Sequence, residues 1–112
     1  MREPSKRVKR LVREYASRAH QEELRRALLD LANAFEAWKA GKISNGDLSD
    51  RIHKFHDGTA RDIFKSYSRK LVEQPLARAI AEGVLDRSQV PGELLEYLAG
   101  AIEFYEAEDT PS

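Results

Sequence analysis

The 112 residues allow one domain with a single hydrophobic core but not two. Nineteen basic and nineteen acidic residues leave no net charge, and the absence of cysteine excludes disulfides and thiol chemistry. No apolar run approaches the roughly 20 residues that span a bilayer, and charged residues rather than an apolar leader follow Met1. We therefore expect one soluble, cytoplasmic helical domain over residues 1–112, without membrane association.

The charges are distributed unevenly along the chain. Residues 1–20 hold seven Lys and Arg against two acids, residues 21–81 eleven against nine, and residues 82–112 one against eight, giving +5, +2 and −7. Residues 1–20 are thus a basic arm or helix, and residues 106–112 are predicted to be a disordered acidic tail. Such opposite ends favour closure of the termini on each other, head-to-tail association of two copies, or nucleic-acid binding at the basic end.

A long helical stretch begins near Ser5 and continues without Pro or Gly to Ala40, with Gly41 as its stop. Its apolar residues form two stripes about 140° apart, so one straight helix cannot direct both to one core. Either the chain breaks near residues 20–23, or one unbroken helix uses its second half for the core and its first half for another contact. The first stripe comprises Val8, Leu11, Val12, Tyr15 and Ala19, and the second Leu24, Ala27, Leu28, Leu31, Phe35 and Trp38.

Two short helices joined by a tight turn at Asp57-Gly58 are predicted next. Ser44 and Thr59 each stand three residues before an aspartate, the spacing of a helix N-terminal cap. An Asp-Gly pair is typical of a helix end followed by a chain reversal. The two predicted helices cover about residues 45–56 and 60–73.

A fourth helix is predicted to open at Pro75 and end at Gly83, and a last one opens at Pro91. No segment alternates with period two over the length of a strand. The predicted fold is therefore all-α, a compact bundle of about five helices with a long or broken first helix. Its expected core comprises Leu28, Leu31, Phe35, Trp38, Leu48, Ile52, Phe55, Ile63, Phe64, Tyr67, Leu71, Ile80, Leu94, Leu98 and Ile102.

Two apolar stripes fall outside that core, one on the first helix and one on the far side of the last. A helix that is apolar on two sides is either sandwiched or shared with another subunit. The leading hypothesis is therefore a non-enzymatic interaction module that binds protein and self-associates as a homodimer or larger homo-oligomer. The predicted partner interface comprises Val8, Leu11, Val12, Tyr15, Tyr97, Gly100 and Phe104.

The first alternative is a small regulatory protein that binds nucleic acid through its basic N-terminal helix. Phosphate binding requires only positive charge at groove spacing, so the pattern is common in helices and of low specificity for nucleic-acid binding. The candidate residues are Lys6, Arg7, Lys9, Arg10, Arg13 and Arg18.

The second alternative is a weak metal-dependent activity at a cluster of acids and histidines. Asp50, His53 and Asp57 share one helix face within about 60°, and His56 lies about 60° further round, so this spacing allows their donors to converge on a divalent metal. The spacing lacks the His-Glu-x-x-His arrangement that supplies ligands and a general base. The same residues fit a solvated helix face, and no other cofactor is predicted.

Overall fold

The computed structural model describes residues 3–109, with helices α1 (Lys6–Lys39), α2 (Asn45–Lys54), α3 (Arg61–Tyr67), α4 (Glu73–Ala81) and α5 (Gly92–Asp109). A π-helical segment, Phe55–Ala60, joins α2 to α3, and a short 3₁₀ turn, Arg87–Gln89, precedes α5. Because α2, the π segment and α3 are continuous, the described chain contains four separate helices and no strand. The all-α prediction is confirmed, with four helices in place of about five.

Helix α1 is unbroken over 34 residues, which resolves the question of one helix or two. The Ser5 side chain accepts a hydrogen bond from the Val8 backbone N–H at 3.1 Å and caps the first turn. At the other end, Gly41 adopts a φ of 74°. This left-handed conformation costs glycine little and stops the helix at the predicted position.

The core of the molecule lies between the first half of α1, α4 and α5. Leu76 of α4 and Leu94 of α5 are fully buried at its centre. The buried cluster comprises Val8, Leu11, Val12, Tyr15, Ala16, Leu76, Ala77, Ile80, Val90, Leu94, Leu98 and Ile102. The first α1 stripe, which the sequence assigned to a partner, therefore supplies the intramolecular core.

The second half of α1 forms an antiparallel hairpin with α2 and α3. The Trp38 indole N–H donates to Asn45 at the start of α2, and His20 stacks on Tyr67 at the end of α3. Within this hairpin only Ala34 and Leu48 are buried among the described residues.

The predicted core is wrong for most of this hairpin. Leu48 is buried as predicted, as are four residues of the other core: Ile80, Leu94, Leu98 and Ile102. Four predicted core residues are only partly buried: Leu31, Phe55, Ile63 and Tyr67. Six are exposed: Leu28, Phe35, Trp38, Ile52, Phe64 and Leu71. The physical reason is that α4 and α5 cover the first α1 stripe, whereas α2 and α3 cover the second only in part and leave Leu28, Phe35 and Trp38 exposed.

The predicted turn at Asp57-Gly58 is also wrong. The chain stays helical there, Gly58 has no positive φ, and the start of α3 has no side-chain cap. A regular α-helix would rotate Ile63 by about 80° from Phe55 over eight residues. The wider π turns absorb this rotation, so that both side chains line one groove against α1.

The C-terminal helices follow the prediction in outline. Helix α4 begins two residues before Pro75, and Gly83 ends it with a φ of 79°. The Val84 N–H donates to the Ala79 carbonyl at 2.9 Å, as in a glycine-terminated helix. Helix α5 continues to Asp109, so the predicted disordered tail is wrong for residues 106–109, and residues 110–112 lie outside the described residues.

The hairpin projects from the core and elongates the molecule. The principal extents are 56 × 33 × 22 Å, and the radius of gyration is 17.2 Å. A compact domain of this length has a radius of gyration of about 13 Å. No helix of the described chain is both long and apolar enough to cross a membrane.

Candidate interaction surface

The second half of α1 carries a stripe of apolar residues at heptad spacing. Intervals of four, three, four and three residues place them at the a and d positions, where helices of a coiled coil meet. The stripe comprises Leu24, Leu28, Leu31, Phe35 and Trp38. Leu28, Phe35 and Trp38 remain 47%, 38% and 39% exposed, whereas the other two are partly buried. The stripe therefore consists of residue types that usually form a protein core, but much of it is exposed at the surface.

The second helix of the hairpin adds apolar side chains on the same side. Leu48 points towards α1, and Ile52 lies about 40° further round the helix, on the side of Asn45. The Asn45 side chain accepts a hydrogen bond from the Trp38 indole N–H at 2.7 Å. The side of α2 that carries Asn45 and Ile52 therefore lies next to the α1 stripe. Continuing through the π segment brings Phe64 to the same side. We call the seven residues together the hairpin face: Leu24, Leu28, Leu31, Phe35, Trp38, Ile52 and Phe64.

The hairpin face is large enough to form an interface. Its five most exposed residues retain 38 to 61% of their surface. At about 200 Å² per large side chain this corresponds to roughly 450 Å² of apolar area. A standard protein interface buries about 800 Å² per partner, slightly more than half of it apolar, which is again about 450 Å².

The opposite side of the hairpin is a charged groove. It has a volume of about 520 Å³ and is lined by Phe55 and Ile63, by Leu31 at the edge that it shares with the hairpin face, and by Arg51 and Lys54. The groove therefore differs from the hairpin face in having charged side chains such as Arg51 and Lys54 next to its apolar ones.

Polar contacts support the hairpin along α1, between its helices and at its tip. Hydrogen bonds from Arg25 and then Arg26, each at 2.8 Å, lower the pKa of Glu22 to about 2. Burial, and then a hydrogen bond to Glu23, raise the pKa of Tyr67 well above its usual value.

At the tip, Ser44 and Asp47 form the predicted capping box. The Ser44 backbone N–H donates to the Asp47 carboxylate at 3.1 Å, and the Asp47 N–H donates to the Ser44 hydroxyl at 3.0 Å. The first of these bonds is the main cause of the lowered pKa of Asp47. The start of α2 is thereby fixed next to Trp38.

The structure separates the two halves of the predicted partner interface. Four residues are buried in the core beneath α4 and α5 and present no free surface: Val8, Leu11, Val12 and Tyr15. On α5, Tyr97 and Phe104 are 37% and 57% exposed, and Gly100 is exposed between them. Only the α5 half is accessible to a partner in this conformation.

The predicted metal cluster is not assembled. Among residues 3–109, no group of three or more acids and histidines is arranged to hold a metal ion. His53 pairs with Asp57 at 3.1 Å, and Asp50 pairs with Lys54 at 2.9 Å. His56 is exposed on the π segment.

The predicted basic face divides into paired and unpaired residues. Arg7 pairs with Glu93 at 2.8 Å, and Arg18 pairs with Glu14 at 2.9 Å while lying over the Tyr15 ring. The other four cations are exposed and make no ion pair with a described residue: Lys6, Lys9, Arg10 and Arg13.

The hairpin face itself was missed by the sequence-based assignment of sites. The heptad spacing of the α1 stripe is present in the sequence and predicted that the stripe is buried. The spacing does not show whether the covering helix belongs to the same chain or to another. Comparisons of the chain with protein-family models, with characterised proteins and with solved structures found no match.

Proposed function

We propose that the protein is a non-enzymatic helical module that self-associates, and that two copies pair through their hairpin faces. The observation that carries this proposal is the incompletely covered heptad stripe of α1, with Leu28 47% and Phe35 38% exposed. Apolar residues at heptad spacing stabilise a helix when they pack between the side chains of a facing helix. Exposed to water, they make no such contribution.

A second copy is the partner that this geometry fits best. Each chain offers a layer of two antiparallel helices with one apolar side, and two such layers packed face to face form a four-helix bundle. Pairing about a two-fold axis brings the same patch of both chains together and closes the assembly. The roughly 450 Å² of apolar area on each copy matches what a standard interface requires.

The stability of the hairpin supports the same conclusion. Only Ala34 and Leu48 are buried within it among the described residues, and both lie between its two helices. Helical stability in proteins comes mostly from packing of an apolar face, so a hairpin with so little interior is marginal alone. A second hairpin would supply the missing half of its core.

Light scattering on a sizing column, over a range of protein concentrations, tests the proposal. We expect a mass of twice the 12.8 kDa chain at high concentration, retained in high salt because the contact is apolar. The variant Phe104→Glu, which changes the exposed α5 stripe, should leave that mass unchanged. A monomer at every concentration contradicts self-association, and loss of the dimer in Phe104→Glu assigns the interface to α5.

A further inference from the structure

A strip of cations runs along the first half of α1, on the side away from the core. Lys6, Lys9, Arg10 and Arg13 lie within about 100° of one another around the helix. The loop after α3 adds Lys70, which lines the same surface concavity as Lys9 and Arg13. We call these five residues the cationic strip.

The cationic strip is not neutralised within the described chain. None of its five residues forms an ion pair with a residue in the range 3–109, whereas the neighbouring Arg7 and Arg18 are both paired. The first turn of α1 contains no acid, although the positive end of the helix dipole disfavours cations there. Glu73 is the acid among the residues that line the concavity. A polyanion bound along the strip would relieve this repulsion.

Aromatic and apolar side chains lie directly beside these cations. The concavity has a volume of about 330 Å³, and its walls include Tyr97 and Leu71, 37% and 69% exposed. A neighbouring concavity, lined by Arg13, also contains the stacked rings of His20 and Tyr67. Proteins that bind single-stranded nucleic acid combine cations that contact the phosphate backbone with aromatic side chains on which the bases stack.

We propose that the cationic strip binds single-stranded nucleic acid, with phosphates on Lys9, Arg13 and Lys70 and a base stacked against Tyr97. An anionic membrane would require a flat or convex surface, whereas Lys9, Arg13 and Lys70 line a recess. A peptide of acidic residues alone would use the cations but has no aromatic ring to stack against Tyr97. The strip is separate from the hairpin face, so this inference does not rest on self-association.

Fluorescence anisotropy with labelled oligouridine and oligothymidine, over a series of salt concentrations, tests the inference. Each phosphate contact contributes about 0.7 to the slope of log K against log salt for a single strand. We expect the double variant Lys9→Gln/Arg13→Gln to reduce that slope by about 1.4. The matched control Lys42→Gln/Lys65→Gln removes the same charge from exposed positions outside the strip and should leave the slope unchanged.

The variant Tyr97→Leu tests the stacking separately from the charge. It should weaken binding at least about fivefold with the slope unchanged, since a base loses its ring partner and no phosphate contact is lost. Absence of binding at low salt, or equal effects of the two double variants, overturns the inference. Equal displacement of the oligonucleotide by polyglutamate or by vesicles containing anionic lipid also overturns it, because the surface would then recognise charge alone. A Leu28→Glu chain should bind with the same affinity, which separates this result from the outcome for self-association.

Discussion

Replacing Leu28 with glutamate should convert the proposed dimer into a monomer. Full burial of a leucine side chain contributes about 1.5–3 kcal/mol, so covering the 47% of Leu28 that is exposed contributes about 1 kcal/mol per copy. Two copies in a symmetric interface contribute about 2 kcal/mol. An unpaired carboxylate placed there adds a desolvation cost of at least about 2 kcal/mol. The total of about 4 kcal/mol corresponds to dimerisation weakened about a thousandfold.

The neighbouring residue supplies a matched control. Leu29 is on the same helix and 49% exposed, but it lies about 100° round α1, away from the hairpin face. The variant Leu29→Glu therefore introduces the same charge at the same exposure and should keep the dimer mass. Neither residue belongs to the buried core, so both variants should retain the helical circular-dichroism spectrum.

Sedimentation equilibrium of the unmodified chain and both variants measures the association constants. We expect the unmodified chain and Leu29→Glu to agree and Leu28→Glu to be monomeric at the same concentrations. Equal association constants for Leu28→Glu and Leu29→Glu, whether weak or strong, would refute the assignment of the interface to the hairpin face.

Three further predictions concern stability. Leu94→Ala should reduce the free energy of unfolding by about 2–5 kcal/mol in urea titrations, because Leu94 is fully buried. The pKa of Glu22 is about 2 instead of its usual 4.5, so the ionised carboxylate stabilises the fold above pH 4.5 and this stabilisation is lost as the pH falls towards 2. In the variant Glu22→Gln, the melting temperature should therefore vary less with pH over that range. In the same titrations, Gly83→Ala should lower the free energy of unfolding by about 1 kcal/mol, because Gly83 has a positive φ. Gly58 has no positive φ and a Cβ there would meet no other atom, so Gly58→Ala should raise the free energy of unfolding by about 0.5–1 kcal/mol.

Local signals in the sequence predicted several of the helix ends, although the helix predicted to reach residue 73 ends at Tyr67. Ser5, Gly41, Ser44 and Gly83 act within one turn of their own position, so the caps and stops follow from neighbouring residues alone. The same reasoning failed at Gly58, because a glycine permits a reversal without requiring one. There the chain continues as the π-helical segment Phe55–Ala60, which contacts α1.

The apolar stripes in the sequence could not show which helices pack against each other. Two stripes on α1 were correctly separated by their phase, yet the larger side chains of Leu28, Phe35 and Trp38 suggested that the second was the core. The structure instead buries the smaller stripe around Val12 and Ala16, because α4 and α5 pack there. The cationic strip was partly predicted, but Lys70 is distant in sequence and joins it only through the fold.

Quenching of Trp38 fluorescence by acrylamide tests the central claim most directly. Trp38 is the single tryptophan of the chain, it is 39% exposed, and it lies on the hairpin face. If two hairpin faces pair, the quenching constant should fall as protein concentration rises through the range in which the mass doubles. A mass that doubles while the quenching of Trp38 stays constant would show that the copies associate through another surface.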